Sequence, residues 1–567
     1  MSGASPADVD LTDPPADAGN NGPVVTRRIL LQRASALAAT GAVGSTLLAA
    51  CGGSSSSGPT PTGTTAGGAG GDVQNLTFGM ASLPQDLNIL RAFNIPSPTV
   101  LSLALEGLTT FNDQMKLQPL LAQSIHQTDP TVYVYKIKPD VRFHDGSTLT
   151  AEDVAFSFQW QMLPKNGTQL GLFFNSVKSA EATGKLELTV ELKAPDGLWP
   201  YTPAHTAGLV QSKKYLQTAG ANAGTSAHLP VGTGPYKITQ FTPSSSVKLV
   251  RFDQYHGTKP KLANLSLQGI ADDSSRQLAM RNASINGTFD VPYSQLNTWK
   301  QIPNAKIGLG SGLDLFYIAF NVQAAPFNDI HVRRAIAHSI DTKGLITSQL
   351  SGAGEVATGF VPPLFFQPLG VAPSTVEGWY AQNPQYPFDL DTAKSELKQS
   401  AHPNGFTTTV PYPSDYPRIG AALQNLQQNM KPMGVNIQLK ELTEDGWLAI
   451  LNGDRSKLGM SVVVYYPDYP DPADYSGFVT TVQIKSGWNL SNYSNPHVDK
   501  LWNDQAASLS TPTRVKLLRE ILAITQQDLP VLPVWIEDAV VALDSSYHYT
   551  ISPVWYLQPW ATQISKA

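Results

Sequence analysis

At 567 residues, with 41% apolar and 15% charged content, the chain exceeds what one compact core accommodates, and two or three domains are expected. A net charge of −5 with acids and bases interspersed gives no electrostatic footprint for DNA or RNA, so no nucleic-acid partner is expected. The single cysteine, Cys51, excludes an internal disulfide framework and argues against a cysteine-based metal site.

The N-terminus carries an address. Residues 26–51 read TRRILLQRASALAATGAVGSTLLAAC: a basic pair, Arg27 and Arg28, a weakly apolar Ala/Gly/Leu segment, then small residues before the cysteine. The TRRILLQ start resembles the twin-arginine export signal, and LAAC, Leu48 to Cys51, resembles a bacterial lipobox. That resemblance implies cleavage before Cys51, a diacylglycerol on its sulfur and a mature protein tethered to the outer face of the cell membrane. The apolar run of about 17 residues is short for a bilayer core that needs about 20. Residues 1–50 are therefore expected to be a lipoprotein signal peptide. Residues 51–72, the lipidated cysteine and a Gly/Ser/Thr/Pro run, hold too few apolar side chains to order themselves and are expected to form a flexible linker.

The body begins with NLTFGM, Asn75 to Met80, which alternates as a strand, followed by a helix capped by Ser97 with Val100, Leu103, Ala104 and Leu108 on one face. TVYVYKIKPDVRF from Thr131 alternates as β. A turn at Asp145 and Gly146 follows, then a helix capped by Thr150 with Asp153 at its third position. LELTVELKA from Leu186 is another strand, and the glycine turn in PVGTGPYKITQF, from Pro230, leads into a strand whose hairpin partner is VKLVRF from Val247. From about residue 315 the pattern becomes α/β. FYIAFNV is strand-like, Ile330, Val332, Ala335, Ile336 and Ile340 share one helix face, and a helix from Ala421 stops at Gly434 before alternating Val435, Ile437 and Leu439. TRVKLLREILAITQQD, from Thr513, gives a late amphipathic helix, with an apolar strand near Val531.

Between these elements lies YYPDYPDPADY, Tyr465 to Tyr475, after the strand-like Ser461 to Val464. Pro467, Pro470 and Pro472 each fix φ and remove a donor, so the stretch is expected to continue as neither sheet nor helix and to present its side chains. Aromatic walls beside a fixed carboxylate suit a ligand with a cationic group, which gains cation–π attraction and a charge-assisted hydrogen bond. A Pro-rich surface turn with solvated acids is the plainer reading of the same residues.

Several of these runs resemble one family in the family's own order: the family 5 solute-binding proteins of ABC importers, the peptide-binding class. VRFHDGSTLTAEDVAFSF from Val141 is similar to its FHDG-x-x-x-TA-x-DV signature, and VGTGPYKI at Val231, VRRAIAHSID at Val332 and YSNPHVDKLW at Tyr493 are similar to further blocks. The resemblance implies an α/β, periplasmic-binding-protein-like type II fold: two lobes plus an extra N-terminal subdomain, closing by a hinge around a ligand. The lobes are expected at 73–314, with the extra subdomain at about 120–230, and at 315–535, with 536–567 returning to the first lobe. It implies a monomeric receptor outside the membrane that hands peptides to an ABC permease and its ATPase subunits, without a cofactor.

YYPDYPDP resembles the family's W-x-x-D-Y-x-x-P loop, whose aspartate pairs with a peptide's α-ammonium. This implies ligand roles for Asp468 and Tyr465, the latter standing where the family has Trp, and adds Tyr466, with Trp488 and Asn489 near YSNP as further candidates. The arginine that some oligopeptide binders carry just upstream, facing the ligand's carboxylate, has no counterpart in Ser461 to Val464. Longer peptides and non-peptide cargo, such as a nickel chelate, haem, an oligosaccharide or another small amine, therefore stay open. No G-x-S-x-G, H-E-x-x-H or Walker sequence supports an enzyme. His331 and His338, seven apart on one predicted helix, suit a polar surface better than a metal pair. His144, in the signature turn, is expected to be structural. A surface adhesin would explain anchor and leash but not a presented carboxylate between hinge-like lobes.

Overall fold

The computed structural model describes residues 72–567 apart from 93, 454, 456 and 457. Cys51, the export signal and the tether up to residue 71 lie outside the described residues.

The backbone of the fold is one large mixed sheet. Its strands run in the order Met460–Tyr465, Ala305–Phe320, Val531–Asp544, Gly287–Thr288, Val73–Met80, Leu262–Gly269, Ser246–Arg251 and Tyr236–Thr242, with the short Gly354–Val356 added against Val531–Asp544. Val73–Met80 pairs in parallel with Leu262–Gly269, as a crossover connection requires, while Tyr236–Thr242 and Ser246–Arg251 form the expected antiparallel hairpin. A separate parallel pair, Thr407–Pro413 with Asn436–Leu442, flanks the helix Pro417–Met430, and Gly434 ends that helical stretch at φ 82°.

A four-stranded antiparallel sheet is built entirely from residues 122–192, inside the stretch expected to form the extra subdomain. Its strand Glu187–Leu192 shows the two-residue period directly: Leu188, Val190 and Leu192 are buried, while Glu187 and Glu191 meet Lys136 and Lys178 on the outer face. The helix Ala151–Met162 covers this sheet and starts with the expected capping box between Thr150 and Asp153. The signature turn docks onto the glycine turn, where buried His144 bonds the Gly234 carbonyl at 3.0 Å. A Cβ on Gly232 would lie 2.2 Å from the Ala104 carbonyl oxygen, so only glycine permits this approach. Burial pushes the His144 imidazole down to about 4, which keeps it neutral and structural.

Three expectations change. The first helix spans only Pro96–Leu101 and starts from Ile95 without a side-chain cap, so Ser97 lies inside it. The helix expected through Ile340 breaks into Ile330–Ala337 and Thr342–Gln349, because Asp341 caps the Gly344 N–H and opens a new helix. The prolines of the Tyr465 stretch do not exclude helix: Pro472 occupies the first position of a short helix, Pro472–Ser476, with Asp471 as its cap. There a missing N–H breaks no bond and the fixed φ is helical.

The divisions expected at 314/315 and 535/536 fall inside strands. Ala305–Phe320 and Val531–Asp544 are continuous and pair antiparallel, with the register shifting between Gly310 and Asp314 and again between Phe316 and Tyr317. At the first shift a Cβ on Gly312 would lie 1.4 Å from the Glu537 carbonyl oxygen, so the two backbones touch where a side chain cannot fit. The C-terminal segment packs against the strand Val73–Met80 in the interior of the sheet: Trp560 sits with Phe78 and Phe289 at centroid distances of 4.8 and 4.9 Å and donates to the Thr99 carbonyl.

Candidate ligand-binding site

The Tyr465 stretch leaves the sheet at the end of Met460–Tyr465, beside Leu315 of the neighbouring strand. Tertiary contacts hold it in place. The Tyr556 hydroxyl donates to the Pro467 carbonyl at 2.7 Å, and the Tyr475 hydroxyl donates to the Leu313 carbonyl at 2.8 Å. Tyr465 stands edge-on to Tyr475 and Phe478, and Phe478 stacks at 15° on Trp488, which is 44% exposed. An aromatic ladder thus runs from solvent to the Tyr465 ring. On the other side Tyr469 stacks on Tyr201 at 5.4 Å. The stretch is more enclosed than expected: Tyr465, Tyr466, Asp468 and Tyr469 are half-buried, while Asp471, Asp474 and Tyr475 are buried.

Its three carboxylates have three different surroundings. Asp471 is sealed from solvent and receives two bonds from Arg514, at 2.8 and 3.0 Å, besides the Ala473 N–H. It is structural. Asp474 accepts the Tyr465 hydroxyl at 3.1–3.2 Å and the Asp468 N–H at 3.1 Å. Asp468 comes within 3.5 Å of the same hydroxyl. Two carboxylates therefore lie within reach of one oxygen atom, and among the described residues neither receives a hydrogen bond from Lys, Arg or His. Burial pushes the Asp468 carboxyl up to about 7, and burial together with the Asp468 charge pushes Asp474 well above the usual range. Such a pair holds a proton or awaits a cation.

Tyr466 points to a second group. It lies near Tyr416, whose ring is 5.1 Å from the Arg418 guanidinium. Arg418 forks onto Glu537 through bonds of 2.5 and 2.8 Å, and Trp535 donates to the same carboxylate at 3.0 Å. Asp314 sits opposite Glu537 in the strand register, and burial and the Glu537 charge raise its carboxyl well above the usual range.

Residues 116–486 match the family described as bacterial extracellular solute-binding proteins, family 5 Middle. The chain belongs to that family. GsiB of Pectobacterium atrosepticum, a glutathione-binding protein, is 28% identical over 430 residues, covering 74% of this chain and 80% of its own. DppA from Helicobacter pylori, solved with the peptide STSA, superposes with a TM-score of 0.74 at 22% identity, covering 88% of this chain and 98% of its own. AppA from Bacillus subtilis, solved with a nonapeptide, gives 0.71 at 22% identity, covering 88% and 100%. The fold is that of the type II periplasmic binding proteins, as the sequence blocks implied. The family consists of extracytoplasmic receptors rather than enzymes, and no helix among the described residues is long and apolar enough to cross a membrane.

In this family 5 solute-binding protein the expected site residues part company. Tyr465 and Asp468 come together, and Tyr466 stands beside the Arg418 group. Trp488 is reached through Phe478. Asn489 is fully buried, its amide donates to the Thr480 and Tyr493 carbonyls at 2.9 Å, and its oxygen accepts from Ser491. Its side chain is consumed by its own turn and has nothing left for a ligand. Asp474 and Arg418 were not singled out by the sequence. Asp474 was visible as a third acid of the stretch, but no spacing links Arg418 to its partner, 119 residues away. His331 and His338 do not meet: the first pairs with Glu396 and the second with the Pro387 carbonyl.

Proposed function

We propose that this chain is the substrate-binding receptor of an ABC importer that captures peptides outside the membrane by their amino terminus and passes them to a permease driven by ATPase subunits. One observation carries the reading: Asp468 and Asp474 converge on the Tyr465 hydroxyl, and among the described residues neither receives a hydrogen bond from a cationic side chain. A buried carboxylate is tolerable when a ligand ammonium pairs with it, and a charged hydrogen bond of this kind contributes about 1.5–3 kcal/mol. The relatives support a peptide cargo, since GsiB is named for glutathione, a tripeptide, and DppA and AppA were solved with peptides.

In this reading Tyr465, Tyr466 and Trp488 line the ligand with Asp468. The lobes 73–314 and 315–535 close around it by flexing the two continuous strands that pass between them, with 120–230 as the extra subdomain and 536–567 returning to the first lobe. The twin-arginine-like signal and the LAAC sequence support export followed by lipid anchoring at Cys51, with the monomeric receptor held on the outer face of the cell membrane.

The test is a calorimetric cycle. Asp468→Asn keeps size and hydrogen bonding but removes the charge, and weakens a free-amine peptide by about 2–4 kcal/mol. Acetylating the peptide's amine costs the wild type a similar amount and the variant much less, because both changes remove one interaction. Equal binding of free and acetylated peptide by the wild type sinks the proposal.

A further inference from the structure

The peptide unit between Pro467 and Asp468 is held from both ends. Its carbonyl accepts the Tyr556 hydroxyl at 2.7 Å, and its N–H donates to the Asp474 carboxylate at 3.1 Å. Pro467 fixes its own φ, so once the plane of this unit is clamped the backbone entering Asp468 has little freedom left. The two clamping side chains come from different parts of the chain. Asp474 lies six residues beyond Asp468, in the helix Pro472–Ser476, whereas Tyr556 lies 89 residues beyond Pro467, in the short 3-10 turn Trp555–Leu557 of the C-terminal segment.

That segment is fastened elsewhere. Trp555 stacks on Phe289 with centroids 3.9 Å apart, the Gln558 amide donates to the Phe111 carbonyl at 2.9 Å, and the Trp560 indole donates to the Thr99 carbonyl at 3.0 Å. Thr99, Phe111 and Phe289 belong to the stretch 73–314 proposed as the first lobe, and Pro467 to the stretch proposed as the second, so the Tyr556 bond crosses from one to the other. Tyr556 is buried, and burial, with Asp314, Asp468 and Asp474 nearby, holds its hydroxyl well above its ordinary pKa, so it stays a neutral donor.

Resting on the amine reading of Asp468, we infer that Tyr556 is a positioning residue for amine recognition: by holding the Pro467 carbonyl from the first lobe it fixes the aim of the Asp468 carboxylate, and it does so only when the two lobes are together. A charge-assisted hydrogen bond is strong only in good geometry, and a carboxylate already held in place does not have to be ordered when the ligand arrives. The one proton of the Tyr556 hydroxyl is spent on the carbonyl, so the effect of Tyr556 on affinity passes through Asp468.

Titration calorimetry of the purified protein with Ala-Ala-Ala amide and N-acetyl-Ala-Ala-Ala amide reads the ratio of free to acetylated affinity. Tyr556→Phe removes one oxygen and keeps the ring in its packing, and is expected to lower that ratio about fivefold, the equivalent of one ordinary hydrogen bond. In an Asp468→Asn background the same change is expected to leave the ratio where Asp468→Asn alone puts it, because a residue that acts through Asp468 then has nothing to act on. Each ratio compares two probes on one preparation, so a partly unfolded fraction cancels. An equal loss for both probes makes Tyr556 a support of the fold or of closure alone and overturns the inference. Unchanged affinity for both probes, or a ratio that falls by the same factor with and without Asp468, overturns it as well. Those outcomes leave the amine reading standing. A wild-type ratio near one, or no binding of either probe, overturns the amine-peptide reading and the inference with it.

Discussion

Asp471 and Arg514 face each other as a closed ion pair, two hydrogen bonds of 2.8 and 3.0 Å with the carboxylate wholly buried, only three residues beyond the carboxylate of Asp468. Neighbours in a short acidic stretch thus do opposite work. One charge is neutralised by the fold, whereas the other is the one we propose for cargo.

Removing the first of these charges is expected to damage the protein rather than its binding. Asp471→Asn leaves the Arg514 guanidinium buried beside a neutral amide, and breaking a buried pair from one side costs about 3–5 kcal/mol. Urea unfolding should show that loss for Asp471→Asn and little change for Asp468→Asn. The reverse order would mean that Asp468 is the structural member.

Asn489 provides the complementary case. Asn489→Ala strands the Thr480 and Tyr493 carbonyls, each worth about 1–3 kcal/mol when left unsatisfied. Stability should fall, while the ratio of free to acetylated peptide affinity should stay at its wild-type value. A change in that ratio would restore a ligand role to the side chain.

The acid pair makes both stability and binding depend on pH. Unfolded carboxyls ionise near 4, whereas burial lifts Asp468 to about 7 and raises Asp474 as well. Between those values the ligand-free folded state binds more protons than the unfolded chain. The pair's contribution to stability is therefore full below about pH 4 and lost as pH rises through about 7. Melting curves of wild type and Asp474→Asn, compared from about pH 5 to 8, should converge toward low pH and separate toward high pH, with the wild type losing more. Amine affinity should run the other way and rise with pH, since proton and ammonium compete for the same carboxylates.

Anchoring is tested at Cys51, outside the described residues. Cys51→Ala should release the protein from membranes or block its processing, and unchanged mass with unchanged membrane association would remove the lipoprotein assignment. Changing Arg27 and Arg28 together to Lys should stop export if the twin-arginine route is used, because point ammonium charges do not replace paired guanidinium forks.

The sequence by itself determined whatever depends on local pattern. The alternation of Glu187–Leu192, the Thr150–Asp153 capping box, the Gly434 stop and the hairpin after the glycine turn are each set by side chains within a few residues, and all appear in the fold. Ordered blocks such as FHDG and VGTGPYKI carried the family, and the Tyr465 stretch carried the candidate site. Tertiary structure alone decided which of that stretch's acids is free. Asp468, Asp471 and Asp474 are chemically alike and closely spaced, and they differ in what the described residues bring to them: Arg514 for the second, and the Tyr465 hydroxyl rather than a cationic donor for the first and third. The same holds for Arg418, at the start of helix Pro417–Met430, whose charge is cancelled by Glu537 of the strand Val531–Asp544 through a contact that no local period encodes, and for Asn489, whose amide is spent on carbonyls that only the folded turn aligns. Charge and burial are properties of a neighbourhood, and the neighbourhood is assembled by long-range packing.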